Sequence, residues 1–552
     1  TSGSRDNINF GINYPQDYSQ SIPKLATISY VSNGSSVPTT STTISWADLG
    51  DFISGSTNTA GNFLPTSALA KQSETGSVYG LTYHKTSKNL LVGSYVKTGT
   101  NLKNNETDAI YRIDPSSGTV SKLLNLSALS GGASAGTITG SVVAADVSRK
   151  GLGGMTLSDD GRTLYVINLA DKKLYSISVG DNLTVPSSTT GYTIPTPSGA
   201  ISSDLVPFAI KNRRGKIYVG MVNTASSTVT ATNPFGGDTF TDTNSDGARQ
   251  TQGTKIDLLT STYGSLSGEN FTDVDGNGVY NKGNASNLRA YVYEFDTTTN
   301  TFSGSPILNF PINYPRTTIV QTSGEWLVMK QTFIPWSDNQ GAQQMQVVVG
   351  LEVQIRYTEG QQAILTDIDF DGEDMILGFR SRTGDIMPSS FVTMGGEILR
   401  ANKTISGWDI ENNGESDGRD TKPYPAISIW ANNSVPNTQG PGGGEWYWED
   451  DGWEGESAQG ALTQIQGVPY IISSTMDGFH NGAQQSFYGF NNLTGGIVGG
   501  RNIFAGTNSN ANDPYSFGKA NGLGDVEAIT DLAPIEIGNR VWLDTDNDGV
   551  QD

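Results

Sequence analysis

The sequence predicts an all-β, β-propeller-like chain of about six or seven blades, and two observations support this prediction. The composition is polar and turn-rich, with 67 glycines, 16% charged residues and runs of Ser, Thr and Asn, which make little helix-forming surface. From residue 76 onward the chain also repeats one order of elements: a small-residue entry, an alternating strand, a polar turn and a second strand. Repetition in a fixed order favours radial blades, because each small sheet can bury its faces only against its neighbours.

The repeated unit occurs in five places along the chain. The copies are predicted at 80–114, 154–177, 207–296, 365–400 and 461–490. The first two match closely, since each has an opening strand, a turn, a Leu-rich or Tyr-rich second strand and a third strand with Tyr and Ile. The third copy keeps this order but is stretched by a long insertion between its second and third strands.

We expect residues 1–533 to form the propeller-like domain, with its insertion at 232–289. Residues 316–360 and the two termini leave space for one or two more units. Residues 1–75 either close the ring against the C-terminal blade or lie over it, and closure would remove two exposed sheet edges. Residues 525–533 are predicted to leave the domain. A flat sandwich is the alternative, favoured by the number of strands alone.

Residues 534–552 predict the start of a second domain, a short strand that leads into a cation-binding loop. Asp544, Asp546 and Asp548 occupy positions 1, 3 and 5 of an EF-hand-type loop, a glycine follows at position 6, and Asp552 occupies position 9. Alternating carboxylates followed by glycine suit a hard cation that takes six to eight oxygens, because glycine lets the backbone wrap around the ion.

This terminus, with 537–542 as the strand and 544–552 as the loop, resembles the entry to the SdrD B-like repeats of bacterial surface proteins. The resemblance implies a truncated, calcium-binding, immunoglobulin-like β-sandwich repeat, which in such proteins lies between a distal functional domain and the cell envelope. Residues 365–371 and 375–380 are similar to the large N-terminal domain that often precedes these repeats. The resemblance does not imply a particular activity for that domain.

The insertion at 232–289 contains two more loops with the opening pattern of a calcium site. Their predicted ligands are Asp242, Asn244 and Asp246 in the first loop and Asp273, Asp275, Asn277 and Asn281 in the second. The alternative is a pair of solvated Asx turns, since Asp, Asn and Gly dominate turns. Neither loop has the bidentate Glu at position 12, so we expect weak binding that suffices where calcium is millimolar.

A further calcium loop is predicted at Asp409, Glu411, Asn413 and Asp420, where acidic residues also stand later in the loop. A plain polar loop is the alternative interpretation.

Asp367, Asp369 and Asp371 share the same opening spacing. Ile368 and Phe370 alternate with them, however, and this pattern favours a half-buried strand that ends in an Asp-Gly turn over a metal site.

Three tryptophans lie close together among acidic residues and form a candidate glycan-binding surface. They are Trp446, Trp448 and Trp453. Aromatic faces stack on sugar rings while carboxylates accept hydrogen bonds from hydroxyls. The interpretation that the sequence favours is that the rings fill the core between blades and the acids face water.

Charge and composition exclude several classes of function. The net charge of −21 repels nucleic acid and anionic lipid but attracts divalent cations. The absence of cysteine removes disulfides, thiolate catalysis and Cys-based zinc sites. No stretch approaches the roughly eighteen apolar residues of a membrane-spanning helix, and no HExxH, Gly-x-Ser-x-Gly or phosphate-binding Gly-Lys-Ser/Thr motif is present.

The sequence therefore predicts an extracellular, cell-surface protein that is stabilised by Ca²⁺ and acts in adhesion or surface-layer assembly. Its expected partners are a surface glycan, a protein ligand or further copies of itself. One alternative is a calcium-dependent propeller hydrolase of the phytase or lactonase kind, with carboxylates converging on the central channel. The other is a purely structural surface subunit.

Overall fold

The computed structural model describes residues 17–533 apart from 54–65, 230–238, 243–268, 273–286, 348–355, 506–516 and several shorter loops. The described part is almost entirely β, and its main strands form six antiparallel sheets. The innermost strand of each sheet contacts the innermost strands of two other sheets, and the six together complete a ring. The propeller prediction is therefore confirmed, with six blades.

Blades 1 to 3 follow one another along the chain, each running from the axis outwards. Blade 1 contains Val78–His84, Asn89–Ser94, Ala109–Asp114 and Thr119–Asn125. Blade 2 contains Leu152–Leu157, Thr163–Asn168, Lys173–Ser178 and Thr190–Thr193. Blade 3 contains Leu205–Arg213, Lys216–Asn223, Arg289–Asp296 and Thr301–Phe302, and Leu308–Pro311 also pairs with its third strand.

Blades 4 and 5 have the same order, whereas blade 6 combines both ends of the described chain. Blade 4 contains Ala363–Asp371, Asp374–Ser381, Glu397–Thr404 and Gly407–Ile410. Blade 5 contains Ala458–Gln464, Tyr470–Met476, Gln484–Asn491 and Ile497–Ala505. Blade 6 contains Leu523–Ile529, Lys24–Ser29, Thr42–Asp48 and Ser67–Lys71.

Short strand pairs, helices and 3₁₀ turns lie in the connections between strands and between blades. The additional strand pairings are Thr239–Asp242 with Glu269–Thr272, Arg316–Gln321 with Trp326–Gln331 and Gly455–Glu456, Asp451–Gly452 with Gly455–Glu456, Gln344–Val347 with Arg356–Glu359, Glu415–Ser416 with Arg419–Asp420, and Ile427–Ile429 with Asn433–Val435. The α-helices are Leu49–Ile53, Gln72–Thr75 and Arg382–Ile386, and the 3₁₀ turns are Lys103–Asn105, Leu126–Ala128, Ser202–Asp204, Ser226–Thr228 and Pro441–Gly443. Within the described residues, no helix combines the length and apolar character needed to cross a membrane.

The inner strands are buried on both faces because neighbouring blades cover them. Every residue of Val78–His84 is buried, although the strand mixes apolar and polar side chains. The inner strand of blade 4 ends at Asp371, and a two-residue loop then reverses the chain to Asp374. Gly372 opens this loop with φ +61°, a conformation that glycine adopts without steric cost. The predicted strand with an Asp-Gly turn is thus confirmed.

The ring closes through a strand from the end of the described chain. Leu523–Ile529 pairs antiparallel with Lys24–Ser29, so the closing blade has one C-terminal and three N-terminal strands. Of the two alternatives for the N-terminal region, closure is correct. Residues 525–529 belong to the innermost strand of this closing blade. The described strands of residues 316–360 lie outside the six blades: the first two join Gly455–Glu456 and Asp451–Gly452 in a small four-stranded sheet, and the other two form a two-stranded pair.

A buried charge cluster closes one end of the axis. The Arg380 guanidinium donates two hydrogen bonds of 2.9 Å to Asp385, and Lys97 Nζ lies 3.2 Å from the same carboxylate. These three side chains are fully buried. Arg380 also donates to the carbonyl oxygens of Asn521, at 3.1 Å, and Leu523, at 2.6 Å. The cluster therefore ties blades 1 and 4 to the segment that enters the closing strand.

The ionised carboxylate of Asp385 in this cluster contributes to the stability of the folded protein. Burial by itself would raise the pKa of Asp385, but Arg380 and Lys97 outweigh it and lower the pKa to about 2. The pKa of Asp385 in the folded protein lies below the ordinary value of 3.8, so the stabilisation is present above that pH and is lost as the pH falls towards about 2.

Replacing Asp385 with Ala should lower the free energy of unfolding by about 3–5 kcal/mol, because Arg380 and Lys97 would be left buried without their counter-charge. Urea denaturation followed by circular dichroism measures this change. The matched control is Asp181→Ala, which breaks an exposed ion pair with Arg162 and should leave the midpoint nearly unchanged. Equal, small shifts for the two variants would contradict the role of the cluster.

Candidate functional site

Four carboxylates meet in the interior between blades 4 and 5, and we call them the acid cluster. They belong to Glu397, Glu445, Asp450 and Glu456. Each side chain is at most 2% exposed, and one oxygen from each lies within 4.8 Å of the others. Glu397 begins the third strand of blade 4, and Glu456 ends the short strand that precedes blade 5. The other two lie in the connection between these blades.

One arginine and the backbone hold the acid cluster in place. Arg316 Nε lies 3.2 Å from Glu397 Oε2, and the backbone N–H of Ile398 donates to Asp450 over 3.3 Å. Burial raises the pKa of Glu397, although Arg316 opposes this effect. Buried carboxylates this close together repel one another, which is costly unless cations such as Arg316 or protons compensate their charge.

The hydroxyl of Tyr314 lies at the acid cluster and hydrogen-bonds to Glu397, which lowers the pKa of that carboxyl against the effect of burial. Burial raises the pKa of Tyr314, and the charge of Glu397 adds to the effect, which places the two groups side by side. The donor set is composed of oxygen atoms, which hard cations prefer, and the chain contains no cysteine. The acid cluster can therefore hold a metal ion.

Glu411 lies next to the acid cluster. Its carboxylate accepts hydrogen bonds from the backbone N–H groups of Arg400, at 3.4 Å, and Trp446, at 3.2 Å. Burial raises the pKa of Glu411 well above its ordinary value, and the charge of Glu397 adds to the shift. The interior between blades 4 and 5 thus contains a fifth carboxylate close to the cluster.

The other predicted ligands of the 409–420 loop lie elsewhere. Asp409, Asn413 and Asp420 are exposed, whereas Glu411 is fully buried. Asp420 accepts a turn hydrogen bond from the backbone N–H of Lys422. Among the described residues, the carboxylates of this loop form no group close enough to share an ion. Glu411 therefore lies in the interior, whereas the loop residues that the sequence spacing grouped with it are exposed.

Most of the remaining predicted sites lie outside the described residues. These are Asn244, Asp246, Asp273, Asp275, Asn277, Asn281, Trp453, Asp544, Asp546, Asp548 and Asp552, together with the side chain of Asp242 at the end of a described strand. Calcium binding at these loops, and the start of a second domain at 534–552, stay predictions.

The aromatic segment before blade 5 is part of the core. Trp446, Tyr447 and Trp448 are 1%, 0% and 7% exposed. The Trp448 ring N–H donates to the carbonyl oxygen of Thr494, at 2.8 Å. Rings covered in this way do not present faces to a sugar in this structure, which favours the packing interpretation over a glycan surface for Trp446 and Trp448. The expectation that the neighbouring acids face water fails for Glu445, which is buried in the acid cluster.

A second polar site lies at the end of the axis where the inner strands end, and we call it the axial bowl. It consists of two adjoining cavities of about 210 and 160 Å³. Both cavities are lined by Lys85, Asp159, Lys211, Asn212 and Glu527. The larger cavity also contains Asp367 and Asp525, and the smaller one contains Asp369. Four carboxylates from the inner strands of blades 4 and 6 thus converge on the open end of the axis.

These axial carboxylates bridge neighbouring inner strands. Asp367 of blade 4 accepts a 2.8 Å hydrogen bond from the backbone of Leu462 in blade 5. Asp525 of blade 6 accepts one of 2.9 Å from Leu81 in blade 1. The next acid on each strand repeats the pattern, in the pairs Asp369 with Gln464 and Glu527 with Tyr83. The Asp367–Asp369–Asp371 trio therefore does not converge on a single ion, since its first two members have separate backbone partners and Asp371 pairs with Arg400.

Burial disfavours the ionised form of several axial carboxyl groups and so raises their pKa values. Burial raises the pKa of Asp525 to about 7, and it raises that of Glu527 to about 6. Burial and the charge of Asp525 raise the pKa of Asp367 well above its ordinary value. Burial would lower the pKa of Lys211, but the carboxylate of Asp369, 2.9 Å from its Nζ, outweighs burial and raises it. Burial lowers the pKa of Lys85, which lines both cavities, so the bowl contains side chains of both charge types whose ionised forms burial disfavours.

Known proteins resemble this chain at low identity. No family model matches it. Three colossins of Dictyostelium discoideum match: colossin-A at 25% identity over 87% of this chain, colossin-B at 31% over 45%, and colossin-C at 24% over 88%. The chain spans 4%, 6% and 41% of the lengths of colossin-A, colossin-B and colossin-C, respectively.

Solved structures resemble this chain at still lower identity. The periplasmic gluconolactonase of Pseudomonas aeruginosa is 11% identical, with a TM-score of 0.35 over 93% of this chain and 100% of its own. A protein of Lactobacillus plantarum is 9% identical, with a TM-score of 0.37 over 92% of this chain and 99% of its own. We draw no functional assignment from likenesses at this level.

The assignment to bacterial SdrD B-like surface proteins is wrong. The relatives that match most of this chain are colossins of Dictyostelium, a eukaryote. The error has a physical origin, since alternating acids before a glycine satisfy the same cation and turn geometry in many unrelated proteins.

Replacing Asp525 with Asn should flatten the pH dependence of the melting temperature between about pH 4 and pH 7. The folded pKa is raised to about 7 from 3.8, so this residue's contribution is present below the lower value and is lost as pH rises through the higher one. Thermal melts across this range measure the slope. An exposed control, Asp417→Asn, should keep the slope of the parent protein, and an unchanged slope in Asp525→Asn would contradict the assignment.

Proposed function

We propose that this chain is an extracellular, calcium-stabilised binding domain, in which a six-bladed propeller presents a surface to a glycan or protein ligand. The observation that carries the proposal is the acid cluster, because four buried carboxylates within 4.8 Å of one another form an oxygen donor set that could hold a metal ion. An extracellular location fits this chemistry, since calcium is abundant there and the chain has no disulfide to stabilise it.

Calcium suits the acid cluster better than other common metals. Carboxylates can bind it through one or both oxygens, so four of them supply the six to eight ligands that calcium takes. Magnesium retains several water molecules and demands a near-ideal octahedron, which a dry interior crowded by protein satisfies poorly. Zinc prefers nitrogen and sulfur ligands, and no such ligand belongs to the described cluster.

A cation at this position would fasten the long connection between blades 4 and 5. Glu445 and Asp450 belong to that connection, whereas Glu397 belongs to blade 4 and Glu456 leads into blade 5. Coordination would offset both the repulsion between the carboxylates and the entropy lost when the connection becomes ordered. A preordered surface then loses less entropy when it binds a partner. Binding to a glycan, to a protein or to further copies of the chain would each use this rigidity.

The test measures calcium binding and stability together. We expect isothermal titration calorimetry of chelator-treated protein to show saturable calcium binding, and the melting temperature to rise with added calcium. Calcium at about one hundred times its dissociation constant adds about 2.7 kcal/mol to the free energy of unfolding. The double variant Glu445→Gln/Asp450→Asn should bind one calcium ion fewer and should be less destabilised by chelator.

The matched control is Glu373→Gln, which removes one exposed carboxylate in the hairpin loop of blade 4. It should keep the stoichiometry and melting behaviour of the parent protein. Equal calcium stoichiometry in the parent and the double variant would contradict a site at the acid cluster, and a melting temperature that ignores chelator would contradict calcium stabilisation altogether.

A second candidate function is a propeller hydrolase that uses the axial bowl. The supporting observation is that Asp367 and Asp525, two carboxyls with raised pKa values, line an open cavity, as general acids do. Against it, both carboxylates accept hydrogen bonds from neighbouring strands, which gives them a structural role. Hydrolysis of a lactone or a phosphate ester that is lost in Asp525→Asn would favour this function, and the absence of turnover would favour binding.

A further inference from the structure

The buried charge cluster at the end of the axis brings an amine, an amide and a carboxylate into contact. One oxygen of Asp385, Oδ1, accepts hydrogen bonds from Lys97 Nζ, at 3.2 Å, and from Asn521 Nδ2, at 3.1 Å. All three side chains are fully buried. Lys97 Nζ also donates to the carbonyl oxygens of Gly384, at 2.7 Å, and Ala520, at 2.8 Å. A single carboxylate oxygen thus joins the nitrogen of a lysine to the amide nitrogen of an asparagine.

The side-chain amide of Asn521 is held in a fixed position with its carbonyl oxygen unused. Its Nδ2 donates to the carbonyl oxygen of Ser381, at 2.6 Å, and its amide atoms lie 2.7–2.9 Å from where a Cβ at Gly384 would be. The backbone of Asn521 has a φ of +52°, in the left-handed region. Its Oδ1 has no hydrogen-bond partner among the described residues. Buried carbonyl groups normally find a partner, so this one requires an explanation.

The amine of Lys97 lies in surroundings that make it nucleophilic. Burial lowers the pKa of Lys97 to about 8, against the charge of Asp385 and together with that of Arg380. Its Nζ lies 4.5 Å from the centre of the Phe517 ring. A lysine that is desolvated beside another cation has a larger fraction of uncharged amine, which is the form that attacks carbonyl groups.

We propose that Lys97 and Asn521 form an intramolecular isopeptide bond, with Asp385 relaying the protons. Nζ attacks Cγ of Asn521, the new C–N bond replaces the Cγ–Nδ2 bond, and Nδ2 leaves. Nζ loses two protons in total and Nδ2 gains two, so a lysine ammonium and an amide become a substituted amide and an ammonium ion. Asp385 Oδ1 contacts both nitrogen atoms, so the transfer needs no co-reactant. The reaction occurs once per molecule, so a slow step is sufficient.

Asn521 is a better acceptor for the amine than Asp385 is. Both oxygens of Asp385 accept hydrogen bonds of 2.9 Å from the Arg380 guanidinium, which keeps the carboxyl ionised, and an ionised carboxylate resists attack by an amine. The same guanidinium donates to the backbone carbonyl oxygen of Asn521, at 3.1 Å. A positive charge at this place favours the negative charge that develops on the amide oxygen during the attack.

The bond would close the propeller ring covalently. Lys97 follows the second strand of blade 1, and Asn521 precedes the innermost strand of blade 6. Lys97 and Ala520 are 423 positions apart in the sequence, so the cross-link would restrict most of the unfolded chain. Disulfides cannot do this, because the chain has no cysteine. The inference goes beyond the binding role proposed above and depends neither on calcium nor on a ligand.

Mass spectrometry of the intact, denatured chain tests the bond. We expect the mass to fall short of the sequence mass by one molecule of ammonia. Trypsin should release residues 89–103 joined to residues 520–540 as one branched peptide, since an acylated lysine at position 97 resists cleavage.

Variants assign the roles of the three side chains. Lys97→Met should have the full mass of its sequence and no branched peptide. Asp385→Asn should form the bond at least about a hundredfold more slowly after synthesis, because the proton relay is lost. The control Lys122→Met, which removes an exposed lysine, should form the bond like the parent protein. Circular dichroism establishes that the variants are folded.

The branched peptide also separates this bond from other losses of mass. Asn521 precedes Gly522, and such a pair loses ammonia when it closes to a succinimide. A loss of ammonia that persists in Lys97→Met, or that occurs without a branched peptide, would overturn the inference. So would the full sequence mass in the folded parent protein, or a cross-link from Lys97 to Asp385 with loss of water.

Discussion

Charge that is buried between blades is the constraint on which this structure depends. A propeller packs both faces of every sheet against neighbours, so any ionised group on an inner strand loses water and must be compensated by other groups. Asp385 is compensated by Arg380 and Lys97, and this match closes one end of the axis. At the acid cluster four buried carboxylates lie within 4.8 Å of one another beside the guanidinium of Arg316. We interpret the Asp385 cluster as structural and the acid cluster as a candidate cation site.

The topology of the propeller brings the carboxylates of the axial bowl, and those of the acid cluster, together from distant parts of the sequence. The bowl requires the closing strand Leu523–Ile529, because it supplies two carboxylates opposite those of blade 4. The acid cluster requires the long connection between blades 4 and 5 to fold back onto both blades.

The repeated order of strands made the fold predictable from the sequence. The positions of the candidate sites were not predictable in this way. The copies at 80–114 and 154–177 share their order of strands because every blade meets the same packing requirement, and five of the six blades were located in this way. Loop-type spacing cannot identify the acid cluster, because Glu397 and Glu445 approach only through tertiary folding. A usable signal was the tryptophan-rich segment: acids that flank core aromatics, such as Glu445 beside Trp446, are candidates for burial rather than for solvation.

The central claim is that the acid cluster binds a divalent cation, and anomalous diffraction from crystals grown with calcium, and then with manganese in its place, tests it most directly. Our account predicts an anomalous peak surrounded by Glu397, Glu445, Asp450 and Glu456, with metal–oxygen distances of roughly 2.3–2.6 Å for calcium. A map with no peak there at saturating cation, and with carboxyl pairs close enough to share protons, would contradict it.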